Sequence, residues 1–537
     1  MRDSIRTRST GHAAPPMRAT RVILALTALT ACTSSEPPTE PPGTTPSVTI
    51  VGGSALNDTV VAAPARTLTL LVRTSAGAAA GRIGVTLTAT TLFTRSGLEG
   101  AIVAMLRNGT PPGTPPLVAA YTDTTDAQGR LSVTVFMGGI AGSGGIVVTA
   151  PAIGLNDTVP VTVRAGRTVT VVVEPLDTAV YVGASYRLRT LALDRFGNAR
   201  DTVAQFSGAT GGIALSGDGR VTGTAIGRSR LIATAGPFTD TAFVSVVPTG
   251  AIAAHETPST LTGSFRVVTV NLDGSGYRVV ATESPGTPGS GSILGGHSMR
   301  PAWDRLGRTL VFQDVSGEAL TTSTDSAITR LFITDLTAAP RRLLAPSFLN
   351  SQRDAVFAAD GATVYFRGTR GGFSSRIWRV STDGTGLAVV SPELGSIGSD
   401  HPAISPDGTE LAYSSGTTIR IRTLATGAER VLPVTGRAPH WSPDGSLIAY
   451  VNTMNDAFPG ELRLVRADGT ADRAVVTDGP ASFDPVMDWS PDGRYIIVAR
   501  LEYGRLDLVN VASGQRIPLP YAVNLSAPAW RPGSSTP

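Results

Sequence analysis

From Ser47 onward the chain is a series of short runs in which hydrophobic and polar positions alternate with period two. Val48 to Val51, Leu68 to Val72, Val85 to Ala89, Leu131 to Phe136 and Val159 to Val163 follow this pattern, with Gly, Asn and Asp between them. Short alternating strands at regular spacing predict a β-sandwich, here over residues 47–165. A second series opens at Val169 to Val173 and closes near Val247, which predicts another β unit over 166–248. No long helical stripe with Glu and Arg on its outer face interrupts the pattern, so the expected fold class is all-β.

Residues 249–537 carry an internal repeat. Its anchors are Trp303 to Gly307, Phe357 to Gly361, Ile404 to Gly408, Trp441 to Gly445, Trp489 to Gly493 and the degenerate Trp530 to Gly533, with glycines 54, 47, 37, 48 and 40 residues apart. A period of ~40 to 50 residues with four strands per unit is that of a propeller blade. Each Asp-Gly pair lies between apolar runs, which predicts type I′ hairpins with φ > 0 at both central residues. The aspartates therefore read as turn formers rather than calcium ligands. Six anchors predict six blades. No strand follows the last anchor, whereas Ala251 to Ala254, Phe265 to Val270 and Arg278 to Ala281 look like second, third and fourth strands that lack a first. The end of the chain is expected to supply it, closing the ring and removing its open edges.

Three stretches resemble known families. Thr122 to Val135 (TDTTDAQGRLSVTV) is similar to the T-D-x-x-G-x-a-x-V motif of bacterial Ig-like domains of invasin-type proteins, from which the insertion around Arg95 to Pro116 departs. Val182 to Leu188, Asp194 to Asn198, Gly217 to Gly223 and Gly227 resemble the group 2 bacterial Ig-like (BIG2) pattern, V-G-x-x-x-x-L, D-x-x-G and S-x-D-G-x-V-T-G-x-x-x-G. The W-S-P-D-G anchors resemble the WD40-like (PD40) repeat of the TolB family of periplasmic propellers. Together these resemblances imply two Ig-like β-sandwiches acting as a spacer, followed by a six-bladed β-propeller that recognises a protein or an envelope polysaccharide.

The first residues read as an address. A basic stretch from Met17, an apolar run from Val22 to Leu29 and the small-residue site before Cys32 form an export signal over 1–32, with the true start expected at Met17. The Leu-x-x-Cys ending resembles the lipobox of bacterial lipoproteins, which implies lipidation of Cys32, the single cysteine. Thr33 in place of Asp implies, by resemblance to Gram-negative sorting, an outer-membrane destination. Acyl chains contribute ~0.8 kcal/mol per buried CH₂, so two or more hold a protein on a membrane without a spanning helix. Residues 33–46 are rich in Pro, Thr and Ser, the composition of an extended, solvated linker.

Composition narrows the chemistry. All 45 basic residues are arginine, which removes any Schiff-base lysine and the usual phosphate-binding loop. The formal net charge of +4 is spread over scattered arginines matched by 41 acidic residues, and no basic stripe for nucleic acid can be drawn. With one cysteine there is no internal disulfide, so the cores alone must stabilise a chain expected to be monomeric.

Polar residues gather in the strands that enter the anchors. Three positions before each anchor stand Arg300, Asp354, His401, Ala438, Val486 and Ala527, and one position before stand Ala302, Val356, Ala403, His440, Asp488 and Ala529. Period two puts both sets on one face, giving Arg300, Asp354, His401, His440 and Asp488 as candidate channel residues. Imidazole and carboxylate suit several divalent ions, but no two of these residues have metal-motif spacing. The plainer expectation is that they hydrogen-bond strand ends or channel water, with no metal and no cofactor. No G-x-S-x-G occurs and no triad is legible around His255 or His297, so the chain reads as a binding protein and not an enzyme. Two rival readings are a hydrolase or lyase acting on polysaccharide or peptide through His401 and His440, and a surface adhesin acting through the Ig-like domains. The loops Glu283 to Gly296 and Ser316 to Thr329 are the candidate contact loops.

Overall fold

The computed structural model describes residues 45–533 apart from connecting segments, the longest of which are 90–102, 283–298 and 316–328. Cys32, all but the last two residues of the linker and nearly all of the two candidate contact loops lie outside the described residues. The architecture is all-β, built from antiparallel sheets with two parallel pairings at sandwich edges.

In the first unit, two five-stranded sheets face each other. Arg130–Met137 shows why: Leu131, Val133, Val135 and Met137 turn inward while the residues between them turn outward. They meet Leu87, Ile146 and Val148 of the facing sheet, and each such fully buried side chain contributes about 1.5–3 kcal/mol. The second unit has its own core of Val171, Val173, Val221, Leu231 and Val244. Its alternation is weaker where Ser185–Arg187 pairs with Arg220–Gly223, since all three residues of the first strand are exposed.

Six four-stranded antiparallel sheets follow in propeller-like succession. Their entry strands are Ala302–Trp303, Asn350–Phe357, Asp400–Ile404, Arg437–Trp441, Phe483–Trp489 and Leu525–Trp530. Each touches its counterparts in both neighbouring sheets, so the six run around a common axis. Leu525–Trp530 pairs with Ala251–Glu256, placing Trp530 opposite Ile252, so the last strand completes the sheet that residue 251 begins. Anchor indoles brace the joints: Trp303 Nε1 donates to the Ala529 carbonyl at 3.2 Å, and Trp489 Nε1 to the His440 carbonyl at 3.1 Å.

The Asp-Gly turns differ from the type I′ expectation. In Ser405 to Gly408 only the glycine has positive φ, at 75°, because the turn closes on Ser405 and so has Pro406 and Asp407, not Asp407 and Gly408, at its centre. The Gly408 N–H donates to the Ser405 carbonyl, and Asp407 accepts from the Ser405 hydroxyl and the Thr409 N–H. Ser442 with Asp444 and Ser490 with Asp492 repeat the arrangement. The aspartates are consumed by the turns, as their residue type implies.

The units are joined by specific contacts. Asn198 Nδ2 donates to the Gly139 carbonyl at 2.7 Å, and its Oδ1 accepts from the Ala141 N–H at 2.8 Å. Between the second unit and the ring, the Tyr181 hydroxyl donates to the Gly250 carbonyl and the Ser245 hydroxyl to the Pro518 carbonyl. Ala179 and Val247 share one apolar core with Ile252, Leu519 and Trp530.

Candidate functional site

A left-handed residue recurs three positions before the anchor, in or just before five of the six entry strands: Arg300 (φ 23°), Asp354 (55°), His401 (51°), Ala438 (52°) and Ala527 (46°). The strand registers shift at the same places, between Arg353 and Val356, Asp400 and Ala403, and Arg437 and His440. Each shift is a β-bulge, which inserts a residue and bends the strand. Period two therefore breaks inside the entry strands, and residues one and three before the anchor do not follow a simple shared-face rule. Side chains of the preceding sheet hold the bulged backbone. The Asp354 N–H donates to Gln313 Oε1 at 2.9 Å and the Ala438 N–H to Ser414 Oγ at 2.9 Å.

Four of the five candidate residues come together. Arg300 Nη1 pairs with Asp354 Oδ1, and the charges of Arg300, His401 and Arg367 all act on Asp354. Burial pushes the Asp354 carboxyl up, but these cations outweigh it and hold it well below the usual carboxylate range. His440 lies in the same field. Burial, then His401 and Arg300, push its imidazole down to about 3, against a smaller opposing effect of Asp354. At neutral pH this imidazole is uncharged.

Asp488 stands apart. Its Oδ1 accepts from the Trp489 N–H at 2.8 Å and its Oδ2 from the Trp530 N–H at 2.7 Å. Burial raises its carboxyl to about 7, with the two backbone donors offsetting only part of the effect. Its geometry is that of a joint between the last two entry strands. Among the described residues no three His, Cys, Asp or Glu side chains gather as a metal site.

Sequence reasoning passed over the arginines around this cluster. Arg353 stands opposite Arg367 in the strand register. Arg367 Nε lies 2.7 Å from Asp400 Oδ1, in ion contact but without hydrogen-bond alignment, and Arg437 Nη2 lies 3.4 Å from Asp400 Oδ2. The available signal was positional. Gln313, Arg367 and Ser414 each stand six residues after an anchor glycine, the place from which Gln313 and Ser414 reach the next bulge.

With this geometry in view, the chain can be set beside known proteins. It is similar to a protein described as a TolB homolog from Chlorobium luteolum, 28% identical over 163 residues, which is 29% of this chain and 36% of that protein. The chain thus spans about a third of the curated relative it matches. Among solved structures it is similar to TolB from Acinetobacter baumannii, at 16% identity and a TM-score of 0.42 over 59% of this chain and 81% of the other. A putative TolB from Agrobacterium tumefaciens gives 17% identity and a TM-score of 0.37 over 51% and 89%. No family model matches the chain.

Proposed function

We propose that residues 249–537 form a six-bladed β-propeller that recognises another protein of the cell envelope, that residues 47–165 and 166–248 are Ig-like sandwiches serving as its spacer, and that Cys32 tethers the chain as an outer-membrane lipoprotein. The observation that carries this reading is the pairing of Leu525–Trp530 with Ala251–Glu256. A ring fastened by its own ends is a rigid platform, and its connecting loops are free to vary for recognition. Similarity to a TolB homolog supports the same reading. Catalysis has no part in this reading.

The test is cross-linking and capture with the full chain on envelope fractions, beside a chain lacking residues 47–248. Saturable capture of one protein by both supports recognition through the propeller. Binding lost with residues 47–248 would transfer the role to the Ig-like units, and binding to polysaccharide alone would replace the protein partner. Intact mass and fractionation of wild type against Cys32→Ser test the tether. An unlipidated, soluble wild type would remove it.

A further inference from the structure

We propose that the second unit is a clamp on the seam of the ring: it grips the two stretches of chain that lead into the two closing strands, and so holds those strands paired. Such a clamp presupposes that residues 249–537 form a closed ring, and it is independent of any partner the ring recognises.

In a strand at the surface of a sandwich one face packs inward and the other meets water. Two strands of the second unit depart from this. In Asp177–Tyr181, Val180 enters the unit's own core, yet Ala179 on the opposite face is buried as well. In Phe238–Val247, Ala242, Val244 and Val246 enter that core, while Ser245 and Val247, alternating with them, are fully buried on the other side. The ring covers this outer face. Ala179 and Val247, with Tyr181 and Ile226 beside them, share one apolar core with Ile252, Ile517, Leu519 and Trp530.

The ring residues met there belong to both sides of the seam. Gly250 immediately precedes Ala251–Glu256, the first strand of the ring, and its carbonyl accepts from the Tyr181 hydroxyl at 3.0 Å. Pro518 ends the strand Arg516–Pro518, from which the chain runs into the closing strand Leu525–Trp530, and its carbonyl accepts from the Ser245 hydroxyl at 2.8 Å. Arg228 fixes that hydroxyl: its Nη1 donates to Ser245 Oγ at 3.2 Å, while the guanidinium makes a two-point pair with Asp177. The first grip could follow from the chain connection, since residues 248–250 are all that separates the last strand of the unit from the first of the ring. The second could not, because Ser245 and Pro518 are 273 residues apart. Side chains make it.

The seam is where such a hold counts. It joins strands far apart in the sequence, His255 meeting Ser526 across 271 residues, and closing so long a loop costs entropy. At two other joints Trp303 Nε1 and Trp489 Nε1 tie neighbouring entry strands together. Trp530 Nε1, the corresponding group of the closing strand, is buried and makes no hydrogen bond among the described residues. Its indole lies against Gly250, where a Cβ would stand 3.1 Å from the ring atoms, so glycine admits the closing strand to the residue that Tyr181 holds. A unit that fixes Gly250 and Pro518 together keeps both strands of the seam in place, and loss of that hold would expose their edges.

The test is hydrogen exchange of the purified full chain, read by mass spectrometry over the seam strands 251–256 and 525–530. Residues 447–452, in a sheet away from the seam, and residues 231–235, in the second unit's own core, serve as references. Tyr181→Phe combined with Ser245→Ala removes both hydrogen bonds and keeps the apolar packing. In this variant the seam strands are expected to exchange about tenfold or more faster than in wild type, with both references unchanged. Ala179→Arg places a charge in the shared core and is expected to speed the seam further. Wild-type exchange at the seam in both variants would overturn the clamp and leave the ring standing. Acceleration that includes 447–452 to the same degree would mean a general loss of stability and would overturn it too. Seam strands that exchange in wild type as fast as unpaired chain would remove the closed ring itself, and the clamp with it.

Discussion

The backbone N–H of Trp530 donates to Asp488 Oδ2 at 2.7 Å, so a carboxyl of one entry strand holds the strand that closes the ring. Burial raises that carboxyl to about 7, above its unfolded value of about 4. A group whose folded pKa is raised stabilises the fold at low pH, and that contribution is lost as pH rises through the folded value. Asp488 is therefore expected to weaken the protein progressively between about pH 4 and 7. Asp488→Asn cannot ionise. Urea midpoints at pH 5 and pH 8 should differ less in this variant than in wild type, and equal differences would contradict the assignment.

Asp354 carries the opposite sign. The cations around it hold its carboxyl below the usual range, so its stabilising effect is present above pH ~4 and is lost as pH falls through the folded value. Asp354→Asn removes the carboxylate that Arg300 Nη1 meets, a loss of about 3 kcal/mol by analogy with other broken buried pairs. Chemical denaturation at pH 7 should show that loss, and it should shrink under acid conditions where wild type loses the pair as well.

These two carboxyls show what the sequence made legible. The repeat, the anchors and the strand without a partner at Ala251–Glu256 could be read because Trp, Asp-Gly and alternation are local signals. The bulges could not. Asp354 and His401 adopt left-handed backbone that composition does not announce, and each bulge shifts which side chain meets which. That is why Asp354 and Asp488, two candidates on one expected face, lie in different surroundings, and why Arg353 went unnoticed beside Asp354. The type I′ expectation missed for a local reason: the turn closes one residue earlier than the Asp-Gly pair, on the Ser405 carbonyl, so Asp407 and Gly408 are not its two central residues and only Gly408 has positive φ.

A second arrangement invisible to pattern reading is the clasp in two neighbouring sheets. The Tyr450 hydroxyl donates to Asp472 Oδ1 at 2.8 Å while Arg463 Nη2 meets Asp472 Oδ2 at 2.8 Å. The Tyr413 hydroxyl donates to Glu429 Oε1 at 2.6 Å, with Arg422 at 3.2 Å from the same oxygen. Both tyrosines are almost fully buried. Tyr450→Phe and Tyr413→Phe keep the ring packing and remove a donor to a carboxylate, so each should cost about 1.5–3 kcal/mol in equilibrium unfolding. A neutral outcome for both would show that the arginines satisfy the acids alone.

The loop Asp194 to Asn198, which by its sequence is only a turn, makes the joint between the first two units. Asp194 accepts from the N–H groups of Phe196, Asn198 and Gly166, and this holds the loop in place. Asn198 then reaches across to Gly139 and Ala141 with both ends of its amide, a pairing that fixes direction as well as distance. A joint of this kind transmits orientation, whereas a connection by chain alone would not. Asn198→Ala removes both hydrogen bonds across the joint and leaves the core of each unit untouched. Small-angle scattering of the variant should show a broader distribution of overall dimensions, and limited proteolysis should cut faster around residues 165–168, with the unfolding of the ring unchanged. Scattering and cleavage identical to wild type would mean that Phe196, packed against the first core, is enough to hold the joint by itself.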